Sequence, residues 1–337
     1  MVLNAKEIRE LLSNWSLVPL RCERSEGGHI NDNLFVYTQG GKYVLRRLTR
    51  FKRPAGLRLE LDQLRYLKKK GFGYEIPSPV KDSRGRYFTK YKGGYYWLYP
   101  YIDGEVRNRI TRSGLKQIAG MMAEYHSLIR SSRFAAKGGM KDPFFKRAIL
   151  KRAALARSEI LARGKPDLEE RAFLNELDVL LPLLRGVRPE NYPRLRTYSL
   201  HCDFTPENLV WRGGRLAGVI DFDAVGWSQE TMVCDVAMSL WSCCAKGRNR
   251  SQLDLDKADL FIREYERRDR LSRTEIGFIP AIIAVRVIDF FIFTRWLLEN
   301  DRGRAASSDL KERSANAQWY LSNRERIVRH LLAARER

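Results

Sequence analysis

The sequence predicts an α+β chain in two lobes, a small β-rich one over residues 1–104 and a larger helical one over 105–337. Three observations lead there. At 337 residues the chain is longer than one hydrophobic core comfortably serves, so two lobes are the first expectation. Glycine-punctuated β segments crowd the part before residue 104, whereas apolar residues at helical spacing dominate after residue 110. A lone β-like stretch at 198–222 interrupts the helical part. Strands first and helices after is the order of an α+β chain.

Taken in order, residues 1–15 read as an amphipathic helix that Asn4 and Glu7 open as a capping box. Lys6, Glu7, Arg9 and Glu10 precede any apolar run, so no signal peptide is expected. Short strands follow from 18 to 49, broken by Gly27-Gly28 and by Gly40-Gly41, the second a hairpin signal. Residues 51–70 are helical, with Leu57, Leu61 and Leu64 on one stripe and Glu60, Leu64 and Leu67 on its neighbour. Gly71 and Gly73 end that helix. Pro77 and Pro79 lead into aromatic strands at 87–91 and 95–101 around Lys92-Gly93-Gly94, and Asp103-Gly104 closes the β-rich part. Helices are expected over 111–131, 143–163, 166–185, 230–245, 255–268, 275–299 and 309–335.

The apolar fraction of 44% and charged fraction of 30% are those of a soluble globular protein. The net charge of +22 favours anionic partners: nucleotides, nucleic acid or a membrane surface. The basic residues are spread along the chain, densest at 141–172 and 302–337, and interspersed with Glu or Leu at helical spacing. Solvated helix faces are therefore preferred over nucleic-acid binding. Five cysteines, with one vicinal pair and no Cys-x-x-Cys or zinc spacing, argue against a disulfide framework and for the reducing cytoplasm. The most apolar segment, Ile276–Leu298, holds Pro280, Arg286, Asp289 and Arg295, which would be expensive in lipid. It reads as a buried helix of the second lobe, and no membrane partner is expected.

The chemistry concentrates in His201-Cys202-Asp203-Phe204-Thr205-Pro206-Glu207-Asn208 and, after two apolar strands, in Val219-Ile220-Asp221-Phe222-Asp223. Leu209–Trp211 and Arg215–Ile220 are joined by Gly213-Gly214, a two-residue turn suited to positive φ. Such a hairpin brings Asn208 beside Asp221, two oxygen donors of the kind Mg²⁺ takes while it keeps phosphates and waters for the rest. Asp203 stands close enough on the same loop to accept a proton from an acceptor hydroxyl, and His201 orients the loop rather than acting as a base. This is how a kinase-type site is assembled around ATP. The plainer alternative is that these are polar residues solvating a loop.

A phosphate grip is expected upstream. In the strand Lys42–Arg47, Val44 and Arg46 share a face, so one can roof the adenine while the other reaches the phosphates. Glu60 on the next helix is the expected partner of Arg46, whose planar fork can hold a phosphate and a carboxylate at once. Arg47 is the rival, but strand parity groups it with Leu45. Gly27, Gly28 and Asn31 lie where a phosphate-covering loop belongs. Leu98, Tyr99 and Tyr101 occupy the expected adenine-pairing stretch between the lobes. Asp235 either braces the 201–208 loop or caps a helix, and His126 reads as a core or interlobe histidine.

The chain resembles the aminoglycoside phosphotransferase/choline kinase superfamily, whose protein-kinase-like fold phosphorylates small molecules. The resemblance spans roughly residues 15–300 and rests on Gly27–Asn31, Tyr43–Arg46, Glu60, Ile102-Asp103-Gly104, His201–Asn208, Ile220–Asp223 and Asp235. Within it, Gly28–Asp32, Val219–Phe222, and Asp235-Val236-Ala237 with Trp241 and Cys243 look most like homoserine kinase type II and N-acetylhexosamine kinases. It implies Asp203 as catalytic base, Asn208 and Asp221 as Mg²⁺ ligands, Arg46 with Glu60 as phosphate-positioning pair, and ATP as donor. Cys202 and Glu207 stand where Gly is frequent, and no activation segment of protein-kinase type follows Asp221. The expected acceptor is therefore a small molecule: homoserine, an aminosugar, an amino alcohol or an aminoglycoside. Asp223, Glu230, Arg286, Asp289 and Arg295 are the candidate acceptor contacts. The contrasting class is a non-catalytic kinase-fold scaffold on an anionic partner, and the presence of Asp203, Asn208 and Asp221 speaks against it.

Overall fold

The computed structural model describes residues 3–25, 32–48, 52–134, 146–188, 192, 195–226, 229–247, 250–300 and 313–336, with side chains at all of these except 32 and 294–300. The chain forms two compact units, Met1–Asn108 with Glu207–Ser228, and Arg109–Pro206 with Gln229–Arg337. The expected hairpin thus groups with the N-terminal unit, whereas the sequence assigned it to the C-terminal lobe. The reason is pairing: Val219 N–H donates to Glu75 O and Glu75 N–H to Ala217 O, both at 2.9 Å. Glu105 and Val106, just past the expected boundary at 104, form a short strand against the hairpin.

In the N-terminal unit, α1 (Ala5–Leu12) opens with the expected capping box. Asn4 accepts from Glu7 N–H, and the Glu7 carboxylate accepts from Asn4 N–H. Strands β1 (Arg21–Arg24), β2 (Asp32–Thr38), β3 (Gly41–Arg47), β4 (Thr89–Tyr91) and β5 (Gly94–Pro100) make one antiparallel sheet in the order β1-β2-β3-β5-β4. Alternation along β3 and β5 separates two faces. Leu45, Tyr96 and Leu98 pack with Leu11, Leu12, Trp15 and Val36 into a core under α1. The opposite face carries Val44 across from Tyr99 and Arg46 across from Trp97. Helix α2 (Pro54–Lys69) follows β3 and starts on a proline, whose missing N–H costs nothing in a first turn. Strands β6 (Glu105–Val106), β7 (Leu209–Arg212) and β8 (Arg215–Val219) form a second sheet. Gly213 and Gly214 both take positive φ, 55° and 79°, as a tight two-residue turn requires.

The C-terminal unit is helical. It comprises α3 (Arg112–Arg130), α4 (Lys146–Ala162), α5 (Leu168–Gly186), α6 (Met232–Cys243), α7 (Leu255–Glu266), α8 (Arg273–Asn300), α9 (Arg313–Ser322) and α10 (Arg324–Glu336), with a small pair β9 (Ala245–Lys246) and β10 (Gln252–Leu253). Helix α8 runs unbroken through Pro280 and packs against α4, α5, α6, α9 and α10. It is long and apolar enough to cross a membrane. Here, however, Ile279, Ile282, Ile283, Val287, Ile288 and Phe291 are buried among its neighbours, as expected for a core helix.

Candidate active site

In the N-terminal unit the hairpin does what its sequence promised. A 3-10 turn, Pro206–Asn208, leads into β7, and the Asn208 carbonyl accepts from Ile220 N–H at 3.0 Å, so Asn208 and the residue before Asp221 are joined across the strands. Asp221 adopts φ +64°, a left-handed conformation that costs a non-glycine residue on the order of 1 kcal/mol. The backbone at Asp221 is thus held by its surroundings in a conformation it would not choose alone.

Arg46 reaches this corner from β3. Its Nη2 lies 2.6 Å from Asp221 Oδ1 and 2.9 Å from Asp223 Oδ1, with the arginine side chain only 3% exposed. The fork therefore holds two carboxylates, and Glu60 takes a different partner from the one expected. The Lys52 ammonium donates to Glu60 Oε2, and also to the Asp223 carbonyl at 2.9 Å. Lys52 was missed by the sequence reading. It lies outside the strand, two residues before the proline that starts α2, and that position was its only signal. Burial pushes the Glu60 carboxyl up from 4.5 to about 7, although Lys52 and then Arg46 pull it down. Asp223, expected near the acceptor, pairs with Arg46 in this corner of two cations and three carboxylates. Helix α2 is seated against the same segment by bare backbone. A Cβ on Gly226, whose φ is +79°, would stand 2.4 Å from Gly56 O.

Val44 and Tyr99 share the Arg46 face and are buried, and burial raises the Tyr99 phenol to about 12. Leu98 turns into the core instead, and its carbonyl is taken by Val80 N–H at 2.8 Å. Tyr101 N–H is likewise spent on Lys42 O, and its ring lies under the Lys42 ammonium at 3.5 Å. Those two backbone groups are thus paired within the N-terminal unit. Gly27, Gly28 and Asn31 lie outside the described residues.

Among the described residues no cluster of three or more His, Cys, Asp or Glu side chains could hold a metal alone. Asn208 and Asp221 still fit Mg²⁺, a hard cation that takes one or two protein oxygens and completes its shell with phosphate and water.

In the C-terminal unit the loop 201–204 is fastened from several sides. The His201 ring is fully buried, stacks on Phe204 at 4.2 Å and accepts from Asp203 N–H at 3.2 Å. Cys202 adopts φ +56°, a left-handed conformation that Gly would take without strain. Its N–H donates to Asp235 Oδ1 at 2.7 Å. Thr231 is the N-cap of α6, so Asp235 is a brace and not a cap. Its other oxygen meets His126 Nε2 at 3.0 Å, and His126 Nδ1 meets the Tyr265 hydroxyl at 2.7 Å. Asp269 and Arg130 continue the chain. Ser239 Oγ donates to Phe204 O at 2.9 Å. His126 is accordingly a fully buried link in the brace.

Of the expected acceptor contacts, Glu230 is almost fully buried. Its Oε2 accepts from the Tyr192 hydroxyl at 2.5 Å and from Cys234 Sγ at 3.0 Å, and burial raises its pKa. Asp289 is shared between Arg152 and Arg286. The Arg295 side chain lies outside the described residues.

A family model described as a phosphotransferase enzyme family matches residues 21–271. Homoserine kinase of Methylobacillus flagellatus is 26% identical over 312 residues, which cover 92% of this chain and 87% of the relative. Homoserine kinase of Phenylobacterium zucineum is 22% identical, covering 85% and 83%. Among solved structures, amicoumacin kinase in complex with AMP-PNP, Ca²⁺ and Ami superposes with TM-score 0.66 at 14% identity, covering 96% of this chain and 94% of that one. A microcompartment-associated aminopropanol kinase gives 0.62 at 14% identity, covering 99% of each. These likenesses show a kinase-like α+β fold.

Proposed function

The chain belongs to the phosphotransferase enzyme family and is a small-molecule kinase, and from that premise we propose how its residues run the transfer. ATP donates its γ-phosphoryl group to a hydroxyl, and an amino acid such as homoserine is the leading acceptor because the matched relatives are homoserine kinases. Asp203 takes the hydroxyl proton as the acceptor oxygen bonds to the γ-phosphorus. The bond from that phosphorus to the β–γ bridging oxygen breaks, and ADP leaves. His201 and Asp235 hold the loop in place through its backbone N–H groups. Asn208 and Asp221 would hold Mg²⁺, which when bound offsets phosphate charge. Arg46 and Lys52 hold the carboxylates of Asp221, Asp223 and Glu60 in place at that corner, and so fix where the Asp221 oxygens stand. The five free thiols fit the reducing cytoplasm.

The observation that carries this reading is the Asn208–Ile220 hydrogen bond with Asp221 next in the chain and gripped by Arg46. It supports a paired amide and carboxylate on the nucleotide side. The test is phosphorus NMR with MgATP and a pool of homoserine, N-acetylhexosamines, choline, ethanolamine and aminoglycosides, run beside Asp203→Asn. A new phosphoester signal that the variant loses is the expected result. An ester formed equally by the variant would remove Asp203 from the mechanism. Absence of both ATP binding and ester would remove the kinase reading itself.

A further inference from the structure

The face of α6 that fastens the 201–204 loop also meets a cation. Asp235 holds Cys202 N–H and Ser239 holds Phe204 O. Between them on that face, Met238 Sδ accepts from Arg286 Nε at 3.3 Å. Arg286 comes from α8, and its guanidinium lies within electrostatic reach of Asp203, Cys202 and Glu230.

Its protein partners are poor ones. A thioether is a weak acceptor. The other contact, Nη1 to Asp289 Oδ2, is 3.3 Å, longer than an ordinary N–H···O bond. Asp289 is moreover shared, its second oxygen being bound by Arg152. A guanidinium presents five donors in a planar fork, and these two contacts are the hydrogen bonds found for it among the described residues. A third of the side chain (33%) stays exposed. Part of the side chain stays open to solvent at the side of α6 that holds the 201–204 loop, so the fork can take a ligand without breaking a strong protein contact.

We propose that Arg286 binds a carboxylate of the phosphoryl acceptor and so selects hydroxylated amino acids over the amino alcohols that lack this group. The proposal rests on the phosphotransferase reading above. A fork meeting a carboxylate makes two parallel charge-assisted hydrogen bonds, which fix orientation as well as supplying energy. Met238 aims the fork without neutralising it, and Asp289 cannot neutralise it fully while Arg152 competes for the same carboxylate. The same charge repels polycationic acceptors. Glu230 is no rival for this role, since its carboxyl is already committed to Tyr192 and Cys234.

The experiment measures kcat/KM for homoserine and serine against the amino alcohols left when each loses its carboxylate, with one aminoglycoside included. Wild type, Arg286→Met and Arg286→Lys are compared. Wild type is expected to prefer the carboxylated member by on the order of 100-fold or more, as sites built around a substrate's polar group do. Arg286→Met should bring that ratio to near unity, and Arg286→Lys should keep part of it, a point charge without the fork. Asp289 stays paired with Arg152 in both variants, so neither strands a buried carboxylate, and urea midpoints check the fold. A variant that slows both members equally, ratio intact, would mean Arg286 only positions the loop, and the proposal falls. A wild type that prefers an amino alcohol or an aminoglycoside also overturns it, while leaving the kinase reading standing. A wild type that transfers phosphate to none of the acceptors and binds no ATP removes the kinase reading, and the proposal with it.

Discussion

Glu60→Gln should change how stability responds to pH. The Glu60 carboxyl is 1% exposed, and burial lifts its pKa from 4.5 to about 7 in the folded chain. At 1.36 kcal/mol per pH unit that displacement is worth about 3 kcal/mol. The group is fully buried, so solvent screening takes little away. A raised folded-state pKa means the native protein holds this proton more tightly than the unfolded chain. The associated stability is complete below pH 4.5 and is lost as pH rises to about 7. Gln has the same shape and still offers an oxygen to Lys52, but it does not titrate. The assay is paired urea unfolding of wild type and variant at several pH values from below 4.5 to above 7. Any constant offset between the two cancels, and wild type should lose about 3 kcal/mol relative to the variant across that window. A difference that stays level with pH would refute the reasoning. It would mean that Lys52 and Arg46 hold Glu60 ionised in spite of burial.

Asp235→Ala removes the acceptor of Cys202 N–H and of His126 Nε2 in a fully buried place, and should cost about 3 kcal/mol in urea unfolding together with a clear drop in kcat. Cys202→Gly relieves the left-handed strain at φ +56° but adds unfolded-state freedom. The two effects nearly cancel, and the midpoint should move by about 1 kcal/mol or less. Gly226→Ala drives a Cβ to 2.4 Å from Gly56 O and should lower thermal stability by several degrees or prevent soluble expression. Lys52→Met leaves Glu60 without its ammonium. If Lys52 belongs to the nucleotide corner, KM for ATP should rise with no comparable change in KM for the acceptor.

What could be read from the chain without coordinates was local. The 201–223 motif was legible because turn chemistry, strand alternation and spacing all constrain the same few residues, and the Asn208–Ile220 bond follows from them. Strand parity placed Val44 and Arg46 on one face for the same reason. The partner of Glu60 was not legible. Parity says which way Arg46 points but not how far a lysine in the following loop can fold back, and Lys52 won that carboxylate. Pairing of Glu75 with β8 was hidden too, since an isolated bridge leaves no pattern in sequence. Leu98 shows the limit of reading a stretch by its position. Its side chain serves the core and its carbonyl serves Val80.

The way the hairpin is shared out has a consequence for synthesis on the ribosome. The N-terminal unit takes its residues from 1–108 and again from 207–228. When Asn108 has been made, Arg46 still lacks Asp221 and Asp223, and β6 still lacks β7. Another 120 residues must be polymerised before Ser228 completes the set, about 6–24 s at ~5–20 residues per second. Throughout that interval Arg46, destined for burial, lacks both of the carboxylates it binds, and Glu60 is already committed to Lys52. A fragment ending at 108 should therefore be insoluble, and the corner around Arg46 and Asp221 should be among the later parts of the molecule to become protease-resistant on stalled ribosomes, although it begins at the N-terminus.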